Sequence, residues 1–287
     1  MSSPEPSFTQ TPEQEARLRI YCLPNLLTAG NLFCGFLALT KIVEADPSAA
    51  DFNSAIRHAM FYILLACIFD LLDGRVARLG GYESPFGREF DSLADLVSFG
   101  VAPAFLVHRI VLRDVFVEHP EVGWFLASIY LICGALRLAR FNCLAAMSPG
   151  VGSKQFLGFP IPAAAGLVAS LTLFLLWWDE RNFQAGFWRY ALPVLMIFLS
   201  FMMVSHVRYP SFKAFDWRTS PTFTRMVIII MTIGFFIILR NRVLPIVLPF
   251  VFGAYLVYGF ARPFISSRIR HGIEDDDEPP APGNGSP

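Results

Sequence analysis

The chain has 287 residues, of which 54% are hydrophobic, 29 are Phe and only 16% are charged. Lys plus Arg and Asp plus Glu stand at 23 each, so the formal net charge is zero and bulk electrostatics argue for neither a nucleic acid nor an acidic partner. Apolar residues at this density, laid out in long runs, exclude an ordinary soluble domain and predict an all-α integral membrane protein with about six to eight transmembrane helices.

Residues 1–16 are polar and rich in Ser, Pro and Glu, which predicts a disordered segment. Arg17 and Arg19 then precede an apolar run that begins near Leu23. The arrangement imitates a signal peptide, but no convincing small-residue cleavage site follows, so the run reads as an uncleaved first span. The candidate spans are 24–43, 55–79, 91–112, 122–143, 160–178, 188–207, 223–239 and 243–260. They group into a membrane core over 17–215 and additional transmembrane helices over 216–262, with a disordered acidic and Pro-rich tail over 263–287. Cys22, Cys34, Cys67, Cys133 and Cys143 are scattered without a CxxC pair, as expected of buried free thiols.

Orientation follows from the Lys/Arg bias. A cytosolic N-terminus puts the larger share of the 23 basic residues, Arg75, Arg78, Arg137 and Arg140 among them, on the cytosolic side. The C-terminus then also lies in the cytosol, and the membrane is the inner (cytoplasmic) one. The Arg240–Arg242 turn runs against this bias, so the last two spans are the least constrained.

Within the first span, Thr28 and Asn31 are i,i+3 neighbours and share a face that turns inward. Interhelical hydrogen bonding is one use for such a pair. The second and third spans carry the most pointed chemistry. Asp70 and Asp73 are i,i+3 neighbours, Asp91 and Asp95 are i,i+4 neighbours, and a short loop lets their helices stand antiparallel. Four carboxylates then converge at one end of a helix pair. They would repel unless a divalent cation neutralised them, and hard oxygen ligands suit Mg²⁺, Mn²⁺ or Ca²⁺. The alternative is solvated acidic residues at two helix ends. Gly74, Ala77 and Gly87 leave room for a bulky ligand against backbone. Arg78 supplies a charge suited to phosphate oxygens. In the loop, Gly80-Gly81 ends the first helix, and Ser84 is either a phosphate contact or a turn or N-cap serine. Farther on, Arg137 and Arg140 put paired positive charge on one face at the cytosolic end of the fourth span.

The pattern D-x2-D-G-x2-A-R-x8-G-x3-D-x3-D from Asp70 to Asp95 resembles the signature of the CDP-alcohol phosphotransferases, and every fixed position matches. Arg137-Leu138-Ala139-Arg140-Phe141-Asn142, Ser98-Phe99-Gly100-Val101-Ala102-Pro103, the run from Gly158 to Gly166 and Tyr209-Pro210-Ser211-Phe212-Lys213 are similar to the branch that uses serine. The likeness spans about residues 20–215 and fades beyond.

The resemblance implies transfer of a phosphatidyl group from CDP-diacylglycerol to L-serine by a homodimer among membrane lipids. It implies two divalent cations, Mg²⁺ or Mn²⁺, held by Asp70, Asp73, Asp91 and Asp95, with Asp95 also acting as the base. It further implies that Asn31, Gly74, Arg78, Ser84 and Gly87 contact the donor, and that Arg137, Arg140 and Asn142 face the acceptor, with holding a donor phosphate as the alternative use of either arginine. Choline, inositol phosphate or glycerol phosphate are alternative acceptors. An intramembrane prenyltransferase would also use aspartates and Mg²⁺, but gives Gly74, Ala77, Arg78 and Gly87 no place. A cation transporter would not favour an arginine beside its acidic path.

Overall fold

The computed structural model describes residues 22–81, 84–147, 155–178, 190–210 and 244–261. These form seven helices, α1 (Cys22–Glu44), α2 (Phe52–Gly80), α3 (Pro85–Val115), α4 (Pro120–Met147), α5 (Ile161–Trp178), α6 (Ala191–Val204) and α7 (Leu244–Ala261). The first five are long and apolar enough to cross a membrane, and α6 and α7 are shorter apolar helices. Two three-residue strands, β1 (Gln155–Leu157) and β2 (Arg208–Pro210), pair antiparallel with Phe156 opposite Tyr209. The multi-pass helical membrane protein expected from composition is therefore the fold observed. The expected span at 223–239, the Arg240–Arg242 turn and both terminal segments lie outside the described residues.

Successive helices reverse direction, so Thr28 near the start of α1 meets Asp73 near the end of α2. The buried stripe of α1 runs Pro24, Thr28, Asn31, Cys34, Gly35, Ala38 and Ile42, in steps of three or four residues except for the adjacent Cys34 and Gly35. Small residues in that stripe let backbones close up, as membrane helices require when lipid is as apolar as leucine. A Cβ added at Gly35 would lie 2.2 Å from Ser98 Oγ and 2.8 Å from its Cα. On the opposite side of α1, Phe33 is 60% exposed and Phe36 61%. Rings this exposed would be a liability in water and are the expected surface against acyl chains.

α2 ends where the two glycines predict. Gly81 adopts φ 64°, a left-handed cap whose N–H turns back to the carbonyls of Ala77 and Arg78. Ser84 then caps α3, accepting the Gly87 N–H at 3.0 Å, with Pro85 at the first helical position. The third helix therefore begins six residues before the span expected at 91, because the cap lies in polar sequence ahead of the apolar run.

α3 is π-helical over Leu96–Val101 and again over His108–Leu112. Pro103 has no N–H to offer the Phe99 carbonyl four residues back. The fully buried Tyr130 hydroxyl on α4 donates to that carbonyl instead, at 3.2 Å. At the far end of the bundle the Arg109 guanidinium donates to the Ala45 carbonyl through Nε (3.0 Å) and Nη2. The link ties α3 to the α1–α2 turn.

α5 packs against α2, α6 and α7. α7 runs antiparallel to it, with Phe252 beside Gly166 and Tyr255 beside Phe159. All five cysteines are free thiols, as expected, but burial holds for Cys34 alone: Cys67 and Cys133 are half-buried, and Cys22 and Cys143 are exposed.

Candidate active site

The aspartates converge at the end of the bundle where α2 stops and α3 starts. Oxygens of Asp70, Asp91 and Asp95 all lie within 4.8 Å of one another. Two unit charges about 5 Å apart at an effective dielectric of about 20 repel by about 3 kcal/mol. Arg78, Arg137 and the Asn31 amide offset part of this from within the protein. Asp91 Oδ1 is buried and has no hydrogen-bond partner among the described residues. An all-oxygen donor set with one buried orphan oxygen fits a hard divalent cation, so the residues suit the group that the sequence implies.

Asp73 and Asp95 are the most enclosed members, at 4% and 6% exposed. Each is held by α1. The Thr28 hydroxyl donates to Asp73 Oδ2 at 2.8 Å, and the Asn31 amide donates to Asp95 Oδ1 at 3.0 Å. Asp73 thus stands beside the three-carboxylate group, engaged with Thr28, rather than within it. Asn31 has a second free function, because its Oδ1 is buried without a partner.

The remaining donor-side residues divide by what surrounds them. A Cβ at Gly74 would meet only Arg78 Nη1, at 3.6 Å, so the space beside Asp73 is open. Arg78 lies over that opening within electrostatic range of Asp70 and Asp73. Gly87 is tighter: a Cβ there would come 3.2 Å from Ser84 Oγ and 3.4 Å from Asn25 Oδ1. Its smallness serves the α3 cap, and Ser84 takes the capping role that its sequence position allowed.

Arg137, Arg140 and Asn142 part company. Arg137 is 7% exposed, faces inward within electrostatic range of Asp95 and Asp70, and has a buried Nε with no partner. Arg140 turns the other way and donates to the carbonyls of Val204 (3.1 Å) and Ser205 (3.2 Å) at the end of α6. A cation there satisfies carbonyls left unpaired at a helix C-terminus. Asn142 donates to Glu89 Oε2 (3.2 Å) and Ser92 Oγ (2.9 Å), tying α4 to α3.

Two residues escaped the sequence reading. Ser98 is fully buried and donates to the Asn31 carbonyl at 3.0 Å, fixing the residue that holds Asp95. Its place beside Phe99-Gly100 made it visible as part of a motif but did not give its partner. Glu89 sits one residue-pair before Asp91 and binds Asn142, which no spacing within α3 could reveal.

Comparison with known proteins adds an independent line. A family model described as CDP-alcohol phosphatidyltransferase matches residues 21–202, which takes in α1 to α5 and most of α6. The CDP-diacylglycerol–serine O-phosphatidyltransferase of Helicobacter pylori is 34% identical over 243 residues, 85% of this chain and 91% of that protein. The protein of the same name from Bacillus subtilis is 33% identical over 195 residues, covering 67% of this chain and 91% of its own. An archaetidylserine synthase of Methanothermobacter thermautotrophicus is 35% identical over 190 residues, covering 66% and 69%.

Proposed function

The chain belongs to the CDP-alcohol phosphatidyltransferase family, and on that premise we propose that it transfers the phosphatidyl group of CDP-diacylglycerol to L-serine, yielding phosphatidylserine and CMP. The observation that carries the chemistry is the approach of Asp70, Asp91 and Asp95 around a buried, unpartnered carboxylate oxygen. Serine as acceptor is supported by the names of relatives, one of which joins serine to a different lipid.

In this reading the serine hydroxyl oxygen attacks the phosphorus that bears diacylglycerol, and the bond from that phosphorus to the CMP oxygen breaks. The hydroxyl proton passes to Asp95, on the oxygen that Asn31 leaves free. Asp95 is oriented for this by an amide that is itself pinned by Ser98. Asp70, Asp91 and Asp95 would hold divalent cations, with Asp73 as the fourth carboxylate; two ions, Mg²⁺ or Mn²⁺, is the number we adopt. Ions held by these residues would supply charge neutralisation for the diphosphate and for the departing CMP. The open side of Gly74 admits the diphosphate, with Arg78 above it. Ser84 and Gly87 shape the cap beneath, and the orphan Oδ1 of Asn31 suits an amino donor such as that of cytosine. Arg137 is the cation for the serine carboxylate.

The same proposal puts the enzyme in the cytoplasmic membrane, the aspartate end and both termini in the cytosol, on the basic-residue bias. It makes the enzyme a homodimer on family resemblance. The test is CMP release by the purified protein from CDP-diacylglycerol with Mg²⁺ or Mn²⁺, offering serine, choline, inositol phosphate and glycerol phosphate separately. Release with serine and formation of phosphatidylserine are expected; release only with another alcohol would overturn the acceptor assignment.

A further inference from the structure

The family match ends at residue 202, so α7 lies wholly outside it. Yet α7 is packed closely into the site end of the bundle. The Phe252 ring lies so near α5 that a Cβ at Gly166 would come within 2.4 Å of it. One turn later, Tyr255 lies obliquely against Phe159, with ring centroids 5.6 Å apart and planes at 39°. Phe159 is itself immobilised. It is fully buried, and its N–H donates to the Met202 carbonyl at 3.0 Å while the Gly158 N–H donates to the Val207 carbonyl at 2.8 Å. Gly158 has φ 79°, and a Cβ there would strike the Met203 carbonyl oxygen at 2.3 Å, so this crossing is a fixed feature of the fold. One face of the Tyr255 ring is thereby set. Its phenol comes within electrostatic range of Arg137, the buried cation that faces Asp95.

We propose that Tyr255 of α7 is a further residue of the acceptor side of the active site, holding the amino-acid acceptor together with Arg137, so that α7 completes the site. The proposal rests on the reading that the acceptor carboxylate is taken up by Arg137. A free amino acid presents a carboxylate and an ammonium a short distance apart. A guanidinium satisfies the first, and a phenol oxygen can accept a hydrogen bond from the second. Phenylalanine could fill the same space against Phe159 but could not accept that bond. A tyrosine that only anchored α7 at the membrane surface would face lipid headgroups. Tyr255 is instead half-buried against Phe159, within electrostatic range of Arg137.

The experiment compares full-length wild type with Tyr255→Phe in detergent–lipid micelles, measuring KM for serine and KM for CDP-diacylglycerol separately, along with Tm. Tyr255→Phe is expected to raise the serine KM about tenfold, as loss of a hydrogen bond to a charged group does, with the donor KM within about twofold of wild type. Tyr258→Phe, one turn farther along α7, is expected to change neither. Partial unfolding would lower kcat without separating the two KM values, so the ratio remains decisive. An unchanged serine KM, or an increase confined to the donor, would overturn the proposal. Failure of the underlying serine reading is seen in the wild type alone, as CMP release with another alcohol but not with serine. That result would overturn the role of Tyr255 as well.

Discussion

The side-chain amide of Asn31 donates to Asp95 Oδ1 at 3.0 Å, joining α1 to the last carboxylate of the site. Ser98, on the turn after Asp95, donates back to the Asn31 carbonyl at 3.0 Å. The two bonds form a closed loop between helices, so Asp95 cannot rotate without disturbing α1. Asn31→Leu removes the donor at nearly constant size. It is expected to lower kcat by about 10²-fold, in the range of a misplaced general base. Steady-state CMP release measures it, and Ser98→Ala should show a smaller loss in the same direction.

Asp95 and Asp70 differ in what they are asked to do. Asp95→Asn should nearly abolish turnover while leaving CDP-diacylglycerol binding largely intact. Asp70→Asn should weaken metal and donor binding together. Equilibrium binding of the donor, measured alongside turnover, checks both. Equal loss of binding in the two variants would refute a division of labour between base and ligand.

Chelation follows from the orphan oxygen of Asp91. EDTA is expected to abolish CMP release and to lower Tm, because an ion that binds only the folded site stabilises it by mass action. Restoring Mg²⁺ or Mn²⁺ should recover both. Asp91→Asn should remove most of the metal-dependent increase in Tm, read by thermal unfolding in detergent.

The two arginines of α4 should separate cleanly. Arg137→Ala is expected to raise the serine KM by tenfold or more with little change in Tm, since it takes away a buried charge whose Nε has no protein partner. Arg140→Ala should mainly lower Tm, because it strips the Val204 and Ser205 carbonyls of their donor. A serine KM shift in Arg140→Ala as large as in Arg137→Ala would reinstate Arg140 as an acceptor contact.

Packing at Gly35 gives a stability test away from the chemistry. Its missing Cβ is what lets Ser98 approach, at a virtual distance of 2.2 Å to Oγ and 2.8 Å to Cα. Gly35→Ala is expected to cost about 1–3 kcal/mol, the usual penalty for overpacking a close contact. Gly74→Ala, which meets only Arg78 Nη1 at 3.6 Å, should leave Tm unchanged and act on donor KM.

Much of this protein was determined by sequence alone. Apolar runs bounded by charge specified the helices, because a bilayer leaves a chain few ways to satisfy its backbone. The spacings Asp70–Asp73 and Asp91–Asp95 specified which carboxylates share a face, because helical periodicity is local. Gly80-Gly81 marked the end of α2 for the same reason, whereas Ser84 was open between a cap and a phosphate contact until the fold was known. Tertiary structure decided what lies across the gaps between helices. Sequence grouped Arg137, Arg140 and Asn142 as one acceptor patch; packing buried Arg137 within electrostatic range of Asp95, turned Arg140 to α6 and tied Asn142 to Glu89 and Ser92. It also set Thr28 on Asp73, Asn31 on Asp95 and Tyr255 on Phe159. Each of these pairs joins different helices, and no periodicity within one helix encodes the rotation of its neighbour. That rotation is set by where small residues such as Gly35 and Gly166 let two backbones, or a backbone and a ring, come together.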